Sequence, residues 1–150
     1  MGLPVPVRRV GYRIAYWLLR VYWFVLRPRV SGVKCLLTDG DRVLLVRHTY
    51  GDRRWDLPGG TMRRGEPPVD AARREIAEEL GLEIDDWQAL GELSSYVYYR
   101  HDRLYCFRGE IRDPHIELDL GELSVATWFP RDQLPAELAR FVRPVLARVR

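Results

Sequence analysis

Three glutamates, Glu75, Glu78 and Glu79, stand at i, i+3 and i+4 in a stretch that reads as helix. Residues at those offsets share one helical face. Carboxylates so close repel one another unless something neutralises them. A hard divalent cation such as Mg²⁺ suits the task, because it takes oxygen ligands and keeps room for water and phosphate oxygens. Taken alone, the three acids also fit a solvated face on which Arg73 and Arg74 offer local pairing.

The helix that must position them is well marked. Pro67-Pro68 opens it, where a missing N–H costs nothing. Ala71, Ala72, Ile76 and Leu80 form an apolar stripe, and Gly81 stands at the C-terminal cap position. This pattern predicts a helix over 67–80 with its carboxylates opposite the stripe.

The surrounding stretch, GTMRRGEPPVDAARREIAEELGL from Gly60 to Leu82, adds fixed spacing to composition. Gly60, Glu66, Arg74, Glu75, Glu78, Glu79 and Gly81, with aliphatic Ile76 and Leu82, resemble at every specified position the signature of the Nudix hydrolase (MutT-like) family. Leu57-Pro58-Gly59 resembles the family's lead-in to that box. The resemblance implies an α/β fold, the Nudix fold, in which a mixed β-sheet is sandwiched between α-helices. It implies a Mg²⁺-dependent enzyme, with Mn²⁺ able to substitute, that cleaves a pyrophosphate bond in a nucleoside-diphosphate-linked substrate. The resemblance places the metal ligands among Glu66, Glu75, Glu78, Glu79 and the carbonyl of Gly59. Glu75 matches the general base, and Arg74 beside it would orient it and hold it ionised. Glu122, six residues before Trp128, resembles an auxiliary ligand or alternative base. Such chemistry is physically reasonable. Metal ions neutralise phosphate oxygens while a carboxylate takes a proton from the attacking water. No serine or cysteine lies in a nucleophile motif, and His48, His101 and His115 read as surface or strand residues.

The box defines a bond, not a substrate. Arg47, Arg53 and Arg54 near it suit phosphates, and Tyr50 and Trp55 can stack on a base. A tyrosine at the distance of Tyr98 resembles a feature of dinucleoside-polyphosphate hydrolases. A proline found in ADP-ribose hydrolases is absent between Pro68 and Pro114. Both point to nucleoside triphosphates or dinucleoside polyphosphates over ADP-ribose. Two other functions compete: a catalytically silent nucleotide-sensing module, and a membrane-associated hydrolase of a lipid-linked or isoprenoid diphosphate.

Elsewhere the chain reads as one domain of 150 residues, 47% hydrophobic and 30% charged. Cys35 and Cys106 lie in strand-like runs and read as reduced core residues. Val33–Thr38 and Val43–His48 form a hairpin around Asp39-Gly40-Asp41. Further strands are expected at 87–93, 95–99, 104–111 and 126–129, with a turn at 100–103 and a final helix over 132–149. The basic balance resides in residues 1–30, which hold six arginines and no acid, whereas residues 31–150 are net acidic. The high pI is therefore no sign of nucleic-acid binding. Residues 1–30 form an extra N-terminal amphipathic helix before a catalytic domain at 31–150. Arg13, Arg20 and Arg27 repeat every seven residues along it. Its apolar runs are too short to cross a bilayer. The helix is expected to be an association element apart from the catalytic site, covered by its own domain, a second subunit or a membrane surface. Localisation is expected to be cytoplasmic, with a peripheral membrane position left open.

Overall fold

A computed structural model describes residues 4–26, 29–97, 100–112 and 114–149. Helix α1 (Val5–Leu26) precedes strands β1 (Arg29–Asp39), β2 (Arg42–His48) and β3 (Gly59–Thr61). Helix α2 (Pro68–Leu80) follows, then β4 (Trp87–Val97), β5 (Arg100–Glu110), β6 (Leu123–Pro130) and α3 (Val142–Leu146). The sheet is mixed, in the order β4-β5-β1-β2-β6, with β3 paired to β1. β1 runs parallel to β5 from Arg29 to Thr38, and the other pairings are antiparallel.

Alternation along the central strands builds two cores. Val33, Cys35, Leu37, Leu44 and Val46 face α2 and pack on Ala71, Ala72, Ile76 and Leu80. Leu36, Val43 and Leu45 face the other way, onto Leu57 and the α3 residues Val142 and Val145. Helices therefore cover both faces of the sheet. The free edge of β1 is used twice: its N-terminal half pairs with β3, and only Thr38 and Asp39 pair with β2. The strands splay between those two contacts. The chain leading into β3 enters there, and Cys35 N–H donates to the Pro58 carbonyl at 2.9 Å.

Several element boundaries differ from expectation. The sheet begins at Arg29, two residues before the expected domain start. The expected break near Ser94 is absent. β4 runs through it to Val97, which pairs with Arg100, so β5 starts where a turn was expected. Gly91, at φ 85°, absorbs a bulge instead. The long final helix reduces to Val142–Leu146. The segment before it spends its backbone groups on the loop after β2: Trp55 N–H donates to Glu137 O, and Ala139 N–H to Trp55 O. Backbone committed in this way cannot also close helical turns.

Candidate active site

α2 starts after Pro67 and ends on Gly81, whose left-handed φ of 64° lets its N–H reach the Ala77 carbonyl. Its glutamates do not all share the solvent face expected of them. Glu75 and Glu79 lie on the buried side with Ala71, Ala72, Ile76 and Leu80, whereas Glu78 is exposed. At 3.6 residues per turn, positions 75 and 79 stack directly above Ala71, so packing the stripe carries both acids inward.

β3 receives them. Gly59 sits at φ 143°, and a Cβ there would overlap the Val33 carbonyl. A Cβ on Gly60 would overlap the Glu75 carboxylate. The bare backbone thus lets α2 approach until Gly59 N–H donates to Glu79 Oε2 at 3.0 Å. Glu79 is fully buried, and its other oxygen, Oε1, has no hydrogen-bond partner among the described residues. Burial raises its pKa well above the ordinary carboxylate value, and the nearby Glu122 raises it further. His48, Glu79 and Glu122 each offer a donor atom within 4.8 Å of the others, a spacing that a cation could fill. Burial, and next the Lys34 charge, pull the His48 pKa down to about 4, which leaves a neutral imidazole.

The remaining box residues divide the work. Arg74 grips Glu66 with two bonds of 2.8 and 2.9 Å, and Arg63 N–H adds a third to the same carboxylate. The Arg74 bonds chiefly hold Glu66 at a pKa of about 2. Arg74 also donates to Glu75 at 2.5 Å. Burial raises the Glu75 pKa overall, while Arg74 acts in the expected sense and lowers it. Glu78 meets Arg63 and Arg74 only at 3.4 and 3.3 Å. Of the expected ligands, the structure gathers Glu79 and Glu122 around His48. It sets Glu75 against Gly60, ties Glu66 to Arg74, and leaves Glu78 at the surface.

Glu122 is held by Tyr50, whose hydroxyl donates to Oε1 at 2.9 Å. Burial still raises the Glu122 pKa. Tyr50 is in turn held by α1. Tyr12 stacks on it at 5.8 Å between ring centroids, Tyr16 tilts against it at 5.6 Å, and Arg8 pairs with Asp119 near Glu122. The expectation that α1 stands apart from the candidate site residues is thereby corrected, since its inner face packs on Tyr50, which holds Glu122.

These shifts give a stability prediction. A carboxylate whose pKa is raised on folding destabilises the native state progressively as pH rises from its unfolded value, about 4.3, to its folded one. Glu75, Glu79 and Glu122 all act in this sense. Metal-free protein should therefore melt lower at pH 8 than at pH 5.5, and added Mg²⁺ should restore most of the loss. Glu66 has the opposite sign, with stability lost as pH falls from about 4.3 toward 2. Calorimetry of EDTA-treated protein across this range checks both limbs. A flat profile above pH 5 would show that the buried acids are already compensated.

Beside the acids, a cavity of about 430 Å³ runs past Lys34, His48, Tyr50 and Asp102 to Arg54 and Phe141. A smaller one of about 160 Å³ continues from the same His48 and Tyr50 to Gly59, Gly60 and Thr61. Tyr50 and Arg54, expected as substrate contacts, both line the larger cavity. Arg53 lines neighbouring cavities with Arg54. Trp55 instead packs edge-on to Phe129 in the second core, with the Arg47 guanidinium 4.6 Å above its ring. Tyr98 lies outside the described residues. Lys34 and Asp102, which line the cavity, are not singled out by the sequence, and His48, read there as a surface or strand residue, ends β2 and lines the same cavity. The pairing of His48 with Leu123 puts it beside Glu122, a long-range register that no local motif announces.

A family profile for the NUDIX domain matches residues 28–149. The chain is 36% identical over 93 residues to the ADP-ribose pyrophosphatase of Mycobacterium tuberculosis, covering 59% of this chain and 44% of that protein. It is 35% identical over 117 residues to the NAD-capped RNA hydrolase NudC of Mycobacterium tuberculosis, covering 75% and 36%. The chain thus spans less than half the length of these two relatives. Its fold is similar to that of a MutT NUDIX hydrolase from Burkholderia pseudomallei, with a TM-score of 0.75 at 25% identity over 82% of this chain and 98% of the other. With the box on α2, the glycine strand beneath it and a profile match that spans the whole sheet, the chain belongs to the NUDIX domain family.

Proposed function

We propose that this chain hydrolyses the internal pyrophosphate bond of a nucleoside-diphosphate-linked substrate of the ADP-ribose type. The observation that carries the reading is the buried Glu79 oxygen, unpartnered among the described residues, in the His48–Glu79–Glu122 cluster, whose His48 also lines the cleft. A buried carboxylate without a counter-charge is costly unless a cation completes it. Glu79 and Glu122 are the oxygen donors Mg²⁺ takes, and the His48 nitrogen also suits Mn²⁺. When bound, such a cation neutralises the phosphate oxygens and so eases attack on phosphorus.

The chain's own groups supply the rest. Glu75 accepts the proton of the attacking water, with Arg74 fixing its carboxylate. Glu122 completes the cation site and is held in place by Tyr50. Lys34 and Arg54 bind the phosphates, and Tyr16, Tyr50 and Phe141 offer rings for a base. Support for ADP-ribose comes from the M. tuberculosis relatives, one named for ADP-ribose and the other for an NAD cap. The expectation of triphosphates rests partly on Tyr98, which lies outside the described residues. Retention of every box glutamate argues against a silent sensing module.

Incubation with ADP-ribose and Mg²⁺ should give AMP and ribose 5-phosphate. The kcat/KM should exceed that for ATP by at least about tenfold, which corresponds to ~1.4 kcal/mol of discrimination. Turnover of ATP or dinucleoside polyphosphates with none of ADP-ribose would move the assignment to the triphosphate class.

A further inference from the structure

Helix α1 is apolar on the side that faces away from its own domain. Its inner face carries Arg8 onto Asp119 and Tyr12 and Tyr16 onto Tyr50, with the buried Trp23 edge-on to Tyr16. The opposite face carries Val7, Val10, Ile14, Leu18, Val21 and Val25, between 47% and 68% exposed. From Val7 to Val25 that face is about 27 Å long at the rise of an α-helix. A continuous apolar strip of this length is not normally left in water. Arg13 and Arg20 follow one another along one flank, with Trp17 at its edge, while Arg9 beside them donates to the Leu120 carbonyl at 3.0 Å, and the helix contains no acidic residue.

We propose that this face lies in the interface of an anionic bilayer, with the arginine flank among lipid phosphates. Charge complementarity selects this occupant. A second copy of α1 would bring another basic flank with no acid to answer it, whereas anionic lipid headgroups supply that charge. No described helix is long and apolar enough to cross a membrane, so α1 lies along the surface. A cavity of about 490 Å³ opens on the same flank, between α1 and the loop after β2. Arg13, Arg20, Arg53 and Arg54 line it, with Tyr16 and Trp17 as walls, and its one acid, Asp52, is paired with Arg54 at 3.7 Å. Guanidinium groups converging beside an indole suit a lipid phosphate at the boundary between headgroup and acyl chain. The proposal rests on the outer face of α1 with Arg13 and Arg20, and does not depend on which nucleotide the cleft takes.

Co-sedimentation of the full chain with phosphatidylcholine vesicles, with and without phosphatidylglycerol, tests it. Binding to anionic vesicles should exceed binding to neutral ones by at least about tenfold. It should weaken on going from about 0.1 M to about 1 M salt, which shortens the Debye length from ~10 to ~3 Å. Ile14→Glu with Val21→Glu should abolish binding while circular dichroism and hydrolysis of a soluble substrate stay as in the wild type. Ile14→Ser with Val21→Ser serves if the glutamates impair folding. Arg13→Ala with Arg20→Ala should cost about fivefold per arginine on anionic vesicles only. Equal binding to both lipids overturns the charge argument. A dimer that Ile14→Glu with Val21→Glu dissociates, with no vesicle binding, overturns the proposal in favour of a self-interface. A higher KM in the arginine variant with unchanged vesicle binding would assign the cavity to the substrate instead. A monomer that binds neither vesicle overturns the proposal outright.

Discussion

Glu79→Gln should lower kcat on the order of 10³-fold while making the metal-free protein more stable. The glutamine carbonyl can still accept from Gly59 N–H, so the fit of α2 on β3 survives. The second arm, now an amide nitrogen, can no longer ligate a cation. The loss is that of an electrostatic group acting on developing charge, for which 10²- to 10³-fold is usual, compounded by weaker metal binding. The stability gain has a separate origin. Glu79 Oε1 is buried without a partner among the described residues, and an amide avoids the cost of a buried charge. Above pH 5 the metal-free variant should therefore melt higher than metal-free wild type, and Mg²⁺ should no longer raise its Tm. A variant that loses activity and also unfolds would point to a packing role. Unchanged activity would remove Glu79 from the site.

This opposition between stability and function marks where the sequence was legible and where it was not. The α2 boundaries follow from local chemistry: Pro67-Pro68, an apolar stripe and Gly81 act within one helix, and each behaves as its residue type requires. Charged residues are taken to face water by default, which put Glu75 and Glu79 on the wrong side of the helix. Both are carried inward by the packing of the stripe and by the bare backbone of Gly59 and Gly60, which a helix-by-helix reading does not show. The place of His48 beside Glu79 and Glu122 is not legible locally, because these residues are distant in sequence and meet through the β2–β6 register. The final helix was overcalled because helical periodicity over 132–149 says nothing of the Trp55 loop that captures that segment's backbone. For α1, composition announced an unusual element, and only tertiary structure showed that its aromatic side supports Tyr50 while its aliphatic side faces out.

Exchanging Glu75 and Glu122 separately for glutamine should tell the base from the supporting ligand. Glu75 lies against Gly60 with one oxygen engaged by Arg74, and its pKa is raised by burial despite that guanidinium. A base works in its ionised form, so wild-type activity should rise with pH through an acidic limb set by that group. Glu75→Gln should lower kcat by about 10²- to 10⁴-fold and erase the limb. The thermal shift produced by Mg²⁺ should be largely retained, because Glu79 and Glu122 remain. Glu122→Gln should do the reverse. It removes an oxygen donor from the His48–Glu79 cluster, so the Mg²⁺ concentration for half-maximal activity should rise by about tenfold or more, with the limb intact. Tyr50→Phe gives an internal control, since it deletes the hydroxyl that holds Glu122 and leaves Glu75 untouched. It should resemble a mild Glu122→Gln, with a higher metal requirement and an unshifted limb. If Glu122→Gln and Tyr50→Phe move the limb while Glu75→Gln does not, the proton goes to Glu122, and Glu75 is the residue that supports the cation.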